Sequence, residues 1–319
     1  MLKKINVAVI GTGNMGRNHV RVYSEMKNCK LIAICDIDFD TMNKISQEFH
    51  CKGYLDYKEM LEKEKIDAVS IAVPTKSHKE IAVYCLNKKI STLVEKPIAF
   101  TLKEADQIIK SAKDNDTLLT VGHIERFNPA IIKISDIINK KGLGDVISIN
   151  TKRLGPFVPK KRDTGVILDL AVHDIDIINN LFKKNPKKVF ANAGSFILKD
   201  KEDCAEIFLD YGHSSGHIQV NWISPVKIRE LTLTGTKGYV RLNYITQEIE
   251  IYKSIFSKKE NGSIQILSEP KILKIKYKEP LKMELKDFID NVIQGTEPSV
   301  SAEQAREALN IALQSLNKV

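Results

Sequence analysis

The chain has 319 residues, 43% hydrophobic and 28% charged. That is long enough for two domains with separate cores and too ordinary a balance for a long disordered segment. Its net charge of +9 is scattered along the chain, with only Lys160-Lys161-Arg162 as a short run, which argues against nucleic-acid binding and for solubility with mild steering of anionic small molecules.

No apolar run reaches the roughly 18 residues of a membrane span. Met1-Leu2-Lys3-Lys4 enters the first strand with no signal-like apolar region. Five cysteines, none in a CxxC spacing, speak against a disulfide frame or a zinc cluster. His213 and His217 flank a turn rather than sharing a helix face. The expectation is a cytoplasmic protein with no metal and no membrane partner.

The chain opens on Val7-Ala8-Val9-Ile10, an apolar β-branched run that reads as a strand buried on both faces. It breaks into Gly11-Thr12-Gly13-Asn14-Met15-Gly16 and continues as a helix. Gly11 permits a tight turn, Gly13 lets the backbone approach a pyrophosphate, and Gly16 lets helix and strand pack closely. A diphosphate would sit on the free N–H groups at the positive end of that helix. The next strand, residues 31–35, ends in Asp36, 20 residues after Gly16. That carboxylate is placed to accept both hydroxyls of an adenosine ribose, and it would repel a 2′-phosphate. The following Ile37-Asp38-Phe39-Asp40 supplies no arginine, so NAD is expected in preference to NADP. The alternative is that Asp36 caps the next helix.

Strands and helices go on alternating: helices at 42–49 and 57–62, a strand at 68–73, a helix through 86, a strand at 91–95, a helix at 102–115 and a strand at 117–121. This pattern means a doubly wound parallel sheet, an α/β Rossmann domain over residues 1–123. The strands' C-terminal rim carries Pro74, Thr75, His78, Glu95 and Lys96, expected with Ile37 near the cofactor; for Thr75 and His78 the alternative is a cap and a helix surface, but their place at the strand exit favours cofactor contact. From 146 onward the texture changes to short alternating strands, the last of them at 272–277, with one helix at 166–182. Residues 124–319 therefore read as an α+β domain with a large, mostly antiparallel open sheet, for substrate binding and oligomerisation. A helix at 281–293 and a last one at about 301–317, opened by the capping box Ser301-Ala302-Glu303-Gln304, close the chain; the last is expected at the seam between domains.

Oxidising an alcohol on a nicotinamide takes a base near the hydroxyl and a polar clamp on the developing carbonyl. Lys96, in Glu95-Lys96-Pro97 at a strand exit, suits the clamp, and a cis Pro97 would aim it inward. Alone, a Lys-Pro pair is an ordinary turn. Asp169 and His173 stand at i and i+4 on the 166–182 helix, sharing a face, and His173 titrates near neutrality as a proton acceptor must. Alone, they are a helix's polar face.

Together, GTGNMG, Glu95-Lys96-Pro97 and Asp169-Leu170-Ala171-Val172-His173-Asp174-Ile175-Asp176 resemble the glucose–fructose oxidoreductase / inositol dehydrogenase / rhizopine catabolism (Gfo/Idh/MocA) family along the whole chain. The resemblance implies an NAD(P)-binding Rossmann domain and a catalytic set of Lys96, Asp169 and His173 that also touches the substrate. It further implies a homodimer or homotetramer built through the open sheet. Gly122-His123-Ile124-Glu125-Arg126-Phe127-Asn128-Pro129 and the Arg153-Leu154-Gly155-Pro156 stretch, leading through Arg162, look closest to the family's nucleotide-sugar 3-dehydrogenases. They imply oxidation at C3 of a substrate such as UDP-N-acetylglucosamine. On that reading Arg126, Asn128, Arg153 and Arg162 are substrate candidates, with Arg126 and Asn128 equally suited to the nicotinamide ribose or the seam. Two alternatives stand beside it: a dehydrogenase of a free polyol such as myo-inositol, and a non-catalytic NAD-binding regulator. The regulator predicts a gap in the Lys/Asp/His set, and none is visible.

Overall fold

The computed structural model describes residues 4–156, 164–258, 264–267 and 270–316. Arg162, a substrate candidate, and the turn residues Glu260-Asn261-Gly262 lie outside the described residues. The chain divides into two compact units, one of Met1–Ile124 with Glu279–Leu309 and one of Glu125–Lys278 with Asn310–Val319. Among the described residues no helix is long and apolar enough to cross a membrane.

The first unit begins β1 (Ile5–Ile10), α1 (Asn14–Glu25), β2 (Cys29–Cys35), α2 (Phe39–Phe49), β3 (Lys52–Tyr54), α3 (Tyr57–Lys63), β4 (Ala68–Ile71), α4 (His78–Asn87), β5 (Ser91–Glu95), α5 (Leu102–Asp114) and β6 (Leu119–Gly122). Six strands form one parallel sheet in the order β3-β2-β1-β4-β5-β6. This is the doubly wound Rossmann sheet expected. The order reverses between β1 and β4, and a sheet of this kind takes its ligand outside the strand ends at that reversal. β4 is buried at every position, as a central parallel strand must be. β3, three residues long, carries too little periodicity to read in advance.

The second unit holds α6 (Pro129–Asn139), β7 (Val146–Leu154), a π-helical turn at Ile167–Ala171 that runs into α7 (Val172–Phe182), and then strands alone. These are β8 (Lys188–Gly194), β9 (Cys204–Asp210), β10 (Ser215–Asn221), β11 (Ile228–Gly235), β12 (Gly238–Asn243), β13 (Glu248–Lys253), β14 (Ile255–Lys258), β15 (Ile264–Leu267) and β16 (Pro270–Leu273). Eight of them make one sheet, β16-β13-β12-β11-β7-β10-β9-β8, antiparallel throughout except where β10 runs parallel to β7. β14 and β15 pair with each other in a separate two-stranded sheet. Burial alternates along the strands. Ala205, Ile207 and Leu209 of β9 are buried, while Phe208 is 43% exposed and meets Phe190 of β8 on the outer face, ring centroids 6.3 Å apart. The strand expected at 272–277 is shorter, ending at Leu273.

α8 (Pro280–Gln294) and α9 (Ala302–Leu316) follow. The box at α9 forms as expected: Ser301 Oγ accepts from the Gln304 N–H at 3.2 Å, and Gln304 Oε1 accepts from the Ser301 N–H at 3.4 Å. Residues 124–319 do not make one block, however. Leu281, Leu285, Phe288 and Ile289 of α8 share a buried cluster with Val7 and Val9 of β1 and Val20, Val22 and Tyr23 of α1. Burying that apolar face draws Glu279–Leu309 back into the first unit.

Candidate active site and cofactor rim

The glycine turn does what the spacing asks of it. Gly11 has φ +85°, a conformation side chains rarely adopt, and its N–H donates to the Cys35 carbonyl at 2.8 Å. A Cβ on Gly16 would stand 1.8 Å from the Gly11 carbonyl oxygen, whereas no described atom lies within 4 Å of where a Cβ on Gly13 would be. Gly16 thus serves the protein's own packing, and Gly13 keeps space outside it. No described side chain caps the α1 N-terminus, and its first turn, which includes Asn14 and Met15, carries no acid. Its free N–H groups therefore fit an incoming phosphate.

Asp36 is not the cap of α2. Asp38 is, its carboxylate accepting from the Thr41 N–H at 2.8 Å. Asp36 turns to the glycine loop instead: its Oδ2 accepts from the Thr12 N–H at 2.7 Å and from Thr12 Oγ1 at 2.9 Å, and its Oδ1 from the Asp38 N–H at 3.0 Å. The carboxylate is fixed at the loop's edge and half exposed, with Ile37 beside it 93% exposed. An anionic acceptor and a bare apolar platform suit a ribose and its base. The residues present fit an NAD cofactor.

Further along the rim, Pro74 is exposed and Thr75 is buried at the start of a 3-10 turn. His78 is buried, with Nδ1 2.9 Å from the Pro97 carbonyl and Nε2 2.9 Å from that of Val73. Carbonyls only accept, so a neutral ring serves one of them and an imidazolium both. In either case His78 ties the β4 exit to the lysine turn, and neither nitrogen is turned to a dinucleotide. The Lys96–Pro97 peptide is cis, and Lys96 is half-buried behind it. Glu95 is buried, its Oε2 accepting from the Lys96 N–H at 3.2 Å.

In the second unit, Glu202 sets the start of the catalytic-candidate helix. Its carbonyl accepts from the Val166 N–H at 2.9 Å, and its carboxylate from the Ile167 N–H at 3.1 Å. Gly165 makes room for it, since a Cβ there would meet the Glu202 carboxylate at 2.0 Å. The helix opens as a π turn that contains Asp169, a local widening often found at functional sites. Between Thr164 and Ile178 only Asp169, Leu170 and His173 keep partial exposure. Two polar groups of complementary chemistry are thus left open on an otherwise buried segment.

The two described arginines and Asn128 differ from expectation. Arg153 is buried, with Nε donating to Asp174 Oδ2 and Nη1 to Glu125 Oε1, both at 2.8 Å, and the Tyr244 ring 4.8 Å from its guanidinium carbon. Arg126 forms a bidentate pair with Asp176, Nε to Oδ2 at 2.7 Å. Asn128 caps α6, accepting from the Ala130 N–H at 3.1 Å, while its amide donates to the Tyr244 carbonyl at 3.3 Å. Buried charges need partners more than they need a ligand, and these side chains already have them. The two arginines brace Asp174 and Asp176, just beyond His173. Sequence reasoning missed Glu202 and the Arg153–Asp174 pair because no local pattern links positions so far apart along the chain.

Two family profiles match this chain: an oxidoreductase family with an NAD-binding Rossmann fold over residues 5–123, and the GFO/IDH/MocA C-terminal domain over 131–241. The UDP-N-acetylglucosamine 3-dehydrogenase of Acidithiobacillus ferrooxidans is 27% identical over 249 residues, covering 78% of this chain and 77% of that protein. The myo-inositol 2-dehydrogenase of Thermotoga maritima is 24% identical over 321 residues, covering 96% and 93%. The solved structure of the Acidithiobacillus enzyme matches with a TM-score of 0.87 at 24% identity, over 99% of this chain and 98% of that one, a likeness of fold.

Proposed function

The chain belongs to the Gfo/Idh/MocA family of NAD-dependent oxidoreductases, and from that membership we propose that it oxidises C3 of UDP-N-acetylglucosamine to the 3-keto sugar. The reaction removes a hydride from the carbon and a proton from its hydroxyl, leaving a carbonyl. Bound NAD supplies the hydride acceptor. Lys96 donates a hydrogen bond from Nζ to the substrate oxygen and stabilises its negative charge. His173, whose Nδ1 is buried, takes the hydroxyl proton at Nε2. Asp169, on the same face, orients the substrate and balances the charge.

The observation that carries this reading is that Asp169 and His173 are the polar side chains left partly exposed between Thr164 and Ile178. The choice of a nucleotide sugar rests on the likeness to the Acidithiobacillus dehydrogenase. A free polyol is the second reading, favoured by the inositol dehydrogenase whose likeness spans 96% of this chain. Comparing UDP-N-acetylglucosamine with myo-inositol by NADH absorbance separates them. Turnover of the UDP-sugar alone supports the first, and turnover of inositol alone overturns it. The outer face of the large sheet, where Phe190 and Phe208 are 55% and 43% exposed, supports association of copies through that face, as a homodimer or homotetramer. Sedimentation of the purified chain tests it.

A further inference from the structure

His19 lies three residues past the last glycine of the turn, on the inward face of α1, and is fully buried. Its Nε2 is 3.0 Å from Oε1 of Glu95 at the end of β5. The other Glu95 oxygen accepts the Lys96 N–H. From β6, Gly122 leaves room for this carboxyl: a Cβ there would stand 3.0 Å from the Glu95 carboxyl carbon. Among the described residues, His78 of α4 and Tyr23 of α1, whose hydroxyl is 2.6 Å from Ser70 Oγ, also act on the pair, with Glu284 of α8 acting on Tyr23. The dinucleotide helix and the lysine turn are joined by one buried acid–histidine contact.

A carboxylate withdrawn from water is ordinarily driven to take a proton. Burial pushes Glu95 that way, but the His19 hydrogen bond and the charges of His19, Lys96 and His78 together hold its carboxyl below the usual range. The influence is mutual. An anion kept beside Lys96 favours the lysine's charged form by the same interaction.

We propose that His19 is a positioning residue for Lys96: through Glu95 it maintains a fixed anion next to the lysine, so that Lys96 presents an ammonium to the substrate oxygen. This rests on the proposed role of Lys96 as the oxygen clamp. His19 touches neither cofactor nor substrate in this account. Its effect passes through one hydrogen bond.

The test reads Lys96 directly and needs no substrate. The full chain and the variants His19→Ala, His19→Gln and Glu95→Gln are acylated with limiting labelled acetic anhydride across a pH series, and label on the Lys96 peptide is read by mass spectrometry. Glu95→Gln is expected to lower the labelling midpoint of Lys96 by about one unit or more, as loss of an adjacent opposite charge should, and His19→Ala, which leaves the buried carboxyl without its donor, shifts it in the same direction by less. His19→Gln keeps an N–H donor and is expected to stay nearer the parent. Thermal unfolding checks that each variant is folded, and if His19→Ala is not, Glu95→Gln carries the result. NADH affinity of the His19 variants should stay within about threefold, roughly 0.7 kcal/mol. An unchanged midpoint in a folded His19→Ala overturns the proposal, and so does an unchanged midpoint in Glu95→Gln. A Lys96→Ala variant with parental kcat would instead overturn the clamp itself, so the two failures are told apart.

Discussion

Gly16 packs so close to Gly11 that a Cβ on it would lie 1.8 Å from the Gly11 carbonyl oxygen, while a Cβ on Gly13, three residues earlier, would meet nothing described within 4 Å. Two glycines of one motif therefore answer to different demands, Gly16 to the fold and Gly13, on the proposed reading, to the cofactor. Gly16→Ala should destabilise the protein by about 1–3 kcal/mol, the scale of overpacking. Gly13→Ala should unfold at the parental temperature yet bind NADH about tenfold or more weakly, about 1.4 kcal/mol. Thermal unfolding beside fluorescence titration checks the pair, and equal loss of stability in both contradicts the division.

On the proposed reading, Asp36 gives the cofactor its selectivity. Asp36→Ser removes a charged acceptor worth about 1.5–3 kcal/mol and so should weaken NADH binding by roughly 10- to 150-fold. NADPH, which the carboxylate repels, should lose far less or gain. Titration with both nucleotides measures the ratio, and an unchanged ratio contradicts the assignment.

Arg153 distinguishes a brace from a substrate ligand. Removing it leaves Asp174 and Glu125 without their buried counter-charge, a change of about 3–5 kcal/mol in comparable cases. Arg153→Met should therefore lower stability in denaturant unfolding by about that amount. A variant of parental stability with a raised KM would mean that the arginine serves the substrate.

Asp174 adds a pH dependence whose sign is fixed. Burial pushes its carboxyl up to about 6 in spite of Arg153, above the unfolded value of about 3.9. A folded-state pKa raised in this way contributes stability that is fully present below the unfolded value and is lost as pH rises through about 6. Between pH of about 4 and about 7, the parent should lose stability relative to Asp174→Asn. Unfolding free energies of both proteins across that range give the difference, and a flat difference contradicts it.

Much of this was legible in the residues, and the rest fails for identifiable reasons. The glycine spacing, the strand runs and Asp36 are local patterns, and a Rossmann sheet follows from them. α6 was missed although Asn128-Pro129 is a cap followed by a helix-starting proline, because those residues read as part of a functional motif. The roles of Arg126 and Arg153 were hidden because their partners lie 50 and 21 residues away. The return of α8 to the first unit depends on packing against α1, which no composition shift announces. Asp169 and His173 were visible as an i, i+4 pair, but the π turn beneath them was not, since it depends on how Glu202 ties down the start of the segment.

The central claim is that Lys96 and His173 act on one substrate hydroxyl, and steady-state NADH production from UDP-N-acetylglucosamine tests it most directly. The parent should turn over, while Lys96→Ala and His173→Ala should each lose about 100-fold or more in kcat, the scale of a positioned acid or base, with NADH affinity nearly unchanged. Parental kcat in either variant would contradict the account.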